Sequence, residues 1–103
     1  MDQRQAVRKV EQFAQAVRRH LPVCDVLLYG SYAKGRPRQY SDIDVAVVVD
    51  EYTGDLFGMK ASLFRLRGGI DVRIEPLLLE RKHDPANFLE EILRTGKLIA
   101  SYS

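Results

Sequence analysis

The chain has 103 residues, enough for one compact domain over residues 1–103 and too few for two. Its hydrophobic share of 46% supports a small core, and its formal net charge of +2 gives no reason by itself to expect a nucleic-acid partner. Cys24 is the only cysteine, which excludes an intrachain disulfide and a multi-cysteine metal site. No long apolar run predicts a signal peptide or a membrane span, so a cytoplasmic location is expected.

The first half of the chain predicts one helix followed by two strands. Apolar residues at spacings of three and four predict an amphipathic helix from about Gln3 to His20, which Pro22 stops. The run VCDVLLY, between Pro22 and Gly30, is rich in branched residues and predicts a strand. The run IDVAVVV predicts a second strand, which is apolar on both faces beyond its acidic start and should therefore lie inside the sheet.

The second half predicts a helix, a strand and a helix. The segment LFGMKASLFRLR has apolar residues at helical spacing. The segment GGIDVRIEPLLL alternates as a strand does, with Asp71 on the face opposite its apolar residues. The segment DPANFLEEILRTG predicts the last helix, with Asp84 as its cap, Pro85 in its first turn and Gly96 at its end.

Two carboxylates, Asp42 and Asp44, open an otherwise apolar strand. Alternate residues of a strand point the same way, about 6.6 Å apart, so both can reach toward one or two ions. If the second and third strands are neighbours, Asp71 joins them, and three adjacent negative charges favour a bound cation. Hard ions such as Mg²⁺ take oxygen ligands and usually bring phosphate with them. Taken alone, the pair can also be a turn followed by a polar strand end, and that alternative stays open.

The residues between the first two strands predict a phosphate-binding loop. Gly30 and Ser31 follow the first strand directly, and a strand that ends in Gly-Ser exposes backbone N–H groups and a hydroxyl that suit phosphate oxygens. Gly35 follows in the same loop, where Lys34 and Arg36 are placed to neutralise a triphosphate. Basic residues beside a triphosphate site need no RNA to explain them, so nucleic acid is a possible partner but not the favoured one.

The segment GSYAKGRPRQYSDIDVAVVV resembles the signature of the nucleotidyltransferase superfamily, which includes DNA polymerase beta and the aminoglycoside nucleotidyltransferases. The short chain is similar to the minimal nucleotidyltransferase (MNT) domains of prokaryotes. This resemblance implies an α+β nucleotidyltransferase fold. In that fold a small, three-stranded mixed sheet carries helices on one face and the active site on the other.

The resemblance also implies roles for individual residues. Asp42 and Asp44 would hold two Mg²⁺ ions, and Asp71 would complete one metal site and help to activate the attacking hydroxyl. Two such ions, about 3.5–4 Å apart, stabilise the attacking and the leaving oxygen of an in-line displacement. The implied reaction is attack of an acceptor hydroxyl on the α-phosphorus of ATP, with release of pyrophosphate. The implied nucleotide-binding residues are Gly30, Ser31, Lys34, Gly35 and Ser41.

Minimal domains of this type often resemble the antitoxin half of a pair whose partner is an all-helical HEPN ribonuclease. The resemblance therefore implies transfer of AMP to a tyrosine of a HEPN toxin within a hetero-complex. Two alternatives stay open: an antitoxin that neutralises its toxin by binding alone, and nucleotidyl transfer to a small molecule or to RNA. Intact Asp42, Asp44 and Asp71 favour the enzyme.

Overall fold

The computed structural model describes residues 1–102 and has an α+β fold in which a mixed sheet is covered by helices. In chain order the elements are α1 (Gln3–Arg18), β1 (Val23–Tyr29), α2 (Gly30–Ala33), β2 (Ile43–Val49), α3 (Leu56–Arg67), β3 (Ile74–Glu80), α4 (Phe88–Thr95) and β4 (Lys97–Ser101). The expected fold class is confirmed. None of the helices in residues 1–102 combines the length and the apolar character that a membrane crossing requires.

The strands are ordered β3-β2-β1-β4 across the sheet. Strand β1 runs antiparallel to both β2 and β4, whereas β2 and β3 are parallel and joined through α3. The sheet that residues 1–102 form thus has four strands rather than the three expected, because Lys97–Ser101 adds an edge strand for which the sequence gives little signal. The two inner strands, β1 and β2, carry the most apolar sequences, as burial on both faces requires.

Helices α1 and α3 pack on one face of the sheet and form the larger core with it. Buried residues of α1 there are Ala6, Val10, Phe13, Ala14 and Val17. The start of α1 is fixed by a capping box, in which the Asp2 side chain accepts from the Gln5 backbone N–H at 2.8 Å. Helix α4 covers part of the second face, where a smaller apolar cluster comprises Leu27, Ala46, Val48, Leu89 and Ile92.

The third strand begins at Ile74, so the prediction that Asp71 lies on it is wrong. Residues 71–73 form a turn instead, in which the Asp71 carboxylate accepts from the backbone N–H of Arg73 at 2.9 Å. The Ile74 N–H donates to the Asp71 carbonyl at 3.1 Å, which closes the turn. An aspartate that bonds the backbone two residues ahead stabilises a turn at the expense of a strand.

The last helix begins at Phe88, later than predicted. Asp84 does cap it, since its carboxylate accepts from the backbone N–H groups of Leu89 and Glu90, each at 3.0 Å. Pro85 precedes the helix rather than occupying its first turn. Gly96 ends the helix as predicted, and a side chain there would meet backbone carbonyl oxygens at 2.7 and 2.8 Å.

Candidate active site

Asp42 and Asp44 lie at the start of β2. Ile43, between them, is fully buried on the helix α1 side, and its backbone N–H donates to the Arg73 carbonyl at 2.8 Å. Because side chains alternate along a strand, Asp44 is turned to the opposite face, which it shares with Ala46. Asp42 is exposed and Asp44 is half-buried, so the pair lies at the edge of the second face, open to solvent on one side.

The third carboxylate beside this pair belongs to Glu75. The parallel register of β2 and β3 places Asp44 directly opposite Glu75. Burial, followed by the charges of Asp42 and Glu75, raises the pKa of Asp44 above its ordinary value of 3.8. Arg67 forms an ion pair with Glu75 at 3.5 Å and so helps to hold its side chain at the strand.

Asp71, the third carboxylate predicted from the sequence, is not brought to the pair. Its side chain is bound by the Arg73 guanidinium through Nε at 3.0 Å and Nη2 at 2.7 Å. This hydrogen-bonded pairing lowers the pKa of Asp71 to about 2, with a small contribution from Lys9 of α1. Asp71 thus balances cations on the α1 side. In the observed register Glu75, and not Asp71, lies opposite Asp44, and the continuous alternation of the sequence concealed the start of the strand at Ile74.

Gly30 fits between the end of β1 and the Asp44 carboxylate. Its backbone φ is +73°, a conformation that residues other than glycine adopt at an energetic cost. A Cβ atom on Gly30 would collide with the Asp44 Oδ2 atom and lie only 3.1 Å from its Cγ. Gly30 therefore allows the backbone of the β1–α2 turn to pass directly over the Asp44 carboxylate. A phosphate bound to that backbone would then lie close enough to the carboxylate to share one cation with it.

The predicted phosphate-binding loop is held in place by hydrogen bonds to α1 and within the loop itself. The side chain of Tyr32 is buried, and its carbonyl accepts from the Gln3 Nε2 of α1 at 2.8 Å. Gly35 takes a φ of +69° and donates its N–H to Tyr32, while the half-buried Ser31 accepts from the Arg36 N–H at 2.9 Å through its carbonyl. These bonds fix the loop backbone immediately after Gly30.

The other predicted nucleotide-binding residues lie farther along this loop. Lys34 is exposed at the end of α2 and faces Glu91, whose pKa is lowered chiefly by its hydrogen bond to Arg94 and slightly by Lys34. The Ser41 hydroxyl accepts from the Arg38 N–H at 2.7 Å, which closes the loop just before Asp42. Ser41 therefore positions the first carboxylate, and nucleotide binding by these residues stays a prediction.

Two aromatic side chains, Tyr29 and Phe88, lie beside the carboxylates. Tyr29 pairs with Asp44 in the β1–β2 register, and burial followed by the charges of Asp44 and Glu75 raises the pKa of its phenol. Phe88 of α4 meets the Tyr29 ring edge-on, with centroids 6.1 Å apart. Phe88 is 44% exposed, and the sequence offered no signal for its place here because α4 was not expected on this face.

The donor set fits Mg²⁺ bound together with phosphate rather than a protein-only metal cage. Within residues 1–102, no three His, Cys, Asp or Glu side chains lie close enough to hold one metal ion. Mg²⁺ is commonly held by one or two carboxylates, with waters and substrate phosphates completing its shell. Asp42 and Asp44 supply two carboxylates. Burial and, after it, repulsion from neighbouring carboxylates raise the Asp44 pKa, and a divalent cation would relieve that repulsion.

Comparison with known sequences gives one family match. The profile described as "Polymerase beta, Nucleotidyltransferase" matches residues 11–103, which include Gly30, Asp42, Asp44 and Glu75. No curated protein sequence matches significantly.

Similar solved structures share the fold. A candidate nucleotidyltransferase from Sulfolobus solfataricus aligns with a TM-score of 0.71 and 18% identity, over 96% of this chain and 83% of its own. A toxin–antitoxin structure with AMP-PNP gives a TM-score of 0.68 and 20% identity, over 89% of this chain and 73% of its own. A mutant MntA–HpeT toxin–antitoxin structure gives a TM-score of 0.65 and 20% identity, over 87% of this chain and 71% of its own.

Proposed function

The chain belongs to the polymerase beta-like nucleotidyltransferase family, and from that premise we propose that it transfers AMP from ATP to a hydroxyl acceptor in a Mg²⁺-dependent reaction. The observation that carries this proposal is the contact between Gly30 and Asp44. It brings a phosphate-type turn against a carboxylate pair, with Glu75 opposite on the next strand. If residues 42–44 were only a turn followed by a polar strand end, nothing would require Gly30 to lie against the Asp44 carboxylate.

In the proposed reaction each group has a distinct role. Bound Mg²⁺ neutralises phosphate charge and polarises the phosphoryl group under attack. Asp42 and Asp44 would hold it from β2, and the main chain at Gly30 and Ser31 would receive the phosphates that approach the same point. Glu75, paired with Arg67, would act as the third carboxylate and accept the proton of the acceptor hydroxyl as that hydroxyl attacks the α-phosphorus and pyrophosphate leaves.

We further propose that the acceptor is a tyrosine of a partner toxin of the HEPN type. Two of the similar structures are described as toxin–antitoxin structures, one of them with AMP-PNP. Asp42 and Glu75 are exposed, so the carboxylates are reachable by a side chain that another protein presents. An antitoxin that acts by binding alone is the outcome against which this proposal is tested.

The first experiment is calorimetric titration of ATP with and without Mg²⁺. Wild-type protein should bind ATP more tightly when Mg²⁺ is present, and Asp44→Asn should abolish this Mg²⁺-dependent gain in affinity. Glu75→Gln and Asp71→Asn remove one negative charge each and form a matched pair. Adenylyl transfer should be lost in the first and kept in the second. Loss of activity in Asp71→Asn alone would restore the aspartate to the site and remove Glu75.

The acceptor is tested by co-expression with the toxin. Wild-type protein should leave the toxin heavier by one or more AMP groups, measured by intact-protein mass spectrometry, and the modified tyrosine should be found by peptide mapping. Asp44→Asn should bind the toxin without modifying or silencing it. A variant that silences the toxin as well as the wild type would assign neutralisation to binding alone.

A further inference from the structure

A second concave site lies on the exposed side of α1. It has a volume of about 480 Å³ and is lined by Met1, Gln5, Arg8, Lys9, Gln12 and Arg73. Ligand pockets for small molecules range over about 300–1,000 Å³, so this one can take a ligand of nucleotide size. None of the carboxylate or loop residues of the candidate active site lines it, and α1 packs on the face opposite Asp44.

The charge of this cavity is unbalanced. Arg8, Lys9 and Arg73 all line it, and four of the lining residues, Gln5, Arg8, Lys9 and Gln12, repeat at the spacing that puts them on one side of α1. In residues 1–102 neither Arg8 nor Lys9 forms an ion pair. Among the described residues, Asp71 is the carboxylate that pairs with these cations, through its two hydrogen bonds to Arg73.

Arg73 is held in a fixed orientation. Asp71 binds its Nε and Nη2 atoms, and Nη2 also lies 3.7 Å from the Met1 sulfur. Its Nη1 has no hydrogen-bond partner within residues 1–102, although the side chain is 44% exposed. A guanidinium held on one edge by a carboxylate presents its other donors without a large loss of side-chain entropy, which suits recognition of phosphate oxygens.

We propose that this cavity is an anion-binding site that takes the phosphate groups of a small phosphorylated molecule, with Arg8, Lys9 and Arg73 as the phosphate contacts. Gln5 and Gln12 also line the cavity and can donate to a sugar or a base. Binding here needs no metal, because the cavity contributes cations rather than carboxylates. The proposal is therefore independent of the nucleotidyl transfer proposed above.

The test is a titration of the whole chain with inorganic pyrophosphate and, separately, ADP, in EDTA so that no divalent ion loads the carboxylates. Backbone amide signals are followed by ¹⁵N NMR. Saturable shifts are expected at residues 5–12 and 71–73. Arg8→Gln and Lys9→Gln, made separately, should each weaken binding about tenfold, the effect of losing one charge-assisted hydrogen bond. Arg19→Gln, an exposed charge at the far end of α1, is the matched control and should change the affinity less than about twofold.

Three results would overturn the proposal. Shifts confined to residues 30–44 would place the anion in the active-site loop. If Arg19→Gln weakened anion binding as much as Arg8→Gln or Lys9→Gln does, the effect would come from net charge and not from this cavity. Shifts at residues 5–12 with a short single-stranded RNA, but none with pyrophosphate or ADP in the millimolar range, would identify a polynucleotide surface instead.

Discussion

Replacing Gly30 with alanine would place a methyl group against the Asp44 carboxylate. The backbone at Gly30 has a φ of +73°, and the new Cβ would lie 3.1 Å from Asp44 Cγ and 3.3 Å from its Cβ. Gly54 offers a matched control in the β2–α3 loop, because its φ is +67° and a Cβ there meets nothing within 4 Å. The two variants share the backbone cost and differ only in the contact with the carboxylate.

The magnitudes follow from these two contributions. An L-residue in this conformation costs about 1–2 kcal/mol, which is the full expected loss for Gly54→Ala. Gly30→Ala must also rotate Asp44 away from its rotamer, at about 0.5–1.5 kcal/mol, so it should lose about 1.5–3.5 kcal/mol in total. The two variants differ by about 0.5–1.5 kcal/mol, so at about 4–8 °C per kcal/mol their melting temperatures should differ by about 2–12 °C.

The larger effect is expected on Mg·ATP binding. A displaced Asp44 no longer offers its charged oxygens to the shared cation, and losing an interaction worth about 1.5–3 kcal/mol weakens affinity about ten- to a hundredfold. Gly54→Ala should bind as the wild type does. Thermal melting and calorimetric titration with Mg²⁺ and ATP measure both effects on the same samples. If Gly30→Ala binds Mg·ATP within about twofold of the wild type, the assigned role of this contact is wrong.

Three further predictions concern stability. In EDTA, burial and then the two neighbouring carboxylates raise the Asp44 pKa, so the native state binds this proton more tightly than the unfolded chain does. The native state therefore loses stability as pH rises from about 3.8. Asp44→Asn should melt above the wild type at neutral pH but not near pH 3. The hydrogen-bonded Arg73 lowers the Asp71 pKa to about 2. The ionised Asp71 therefore stabilises the native state above pH 3.8, and this stabilisation disappears as pH falls toward 2. Asp71→Asn should flatten the melting curve against pH in this window, with a loss below about 1 kcal/mol at neutral pH; an unchanged acid limb would contradict the pairing. Gly96→Ala should cost about 1–3 kcal/mol because its Cβ would lie 2.7 and 2.8 Å from two backbone oxygens, whereas Gly69→Ala, with its nearest contact at 4.0 Å, should melt as the wild type does.

The local parts of the site could be predicted from the sequence because neighbouring residues create them. Gly30 and Ser31 follow a strand that the composition alone indicates, and the carboxylates at 42 and 44 open the next one. Both strands have the bounds expected, Val23–Tyr29 and Ile43–Val49. No partner elsewhere in the chain is needed to place the turn between them.

The errors have two causes: a local turn that replaces the start of a strand, and a strand that forms only by pairing with a distant one. Alternation across GIDVRI predicts a strand, but the bonds of Asp71 to Arg73 form a turn and shift the start of β3 by several residues. That shift exchanges Asp71 for Glu75 beside the carboxylate pair. Strand β4 has little pattern of its own, since Leu98 is 54% exposed, and it forms because the free edge of β1 pairs with it.

The position of β4 has a consequence for how the chain is made. Strand β1 leaves the ribosome early and can pair with β2 on one side, but its other edge waits for residues 97–101. Pairings between such distant segments form slowly, and an unpaired edge on an apolar strand is a template for other chains. Translation that stalls before Lys97 would therefore leave Val26 and Leu28 with open backbone groups, and newly made chains would be most exposed to aggregation during this interval.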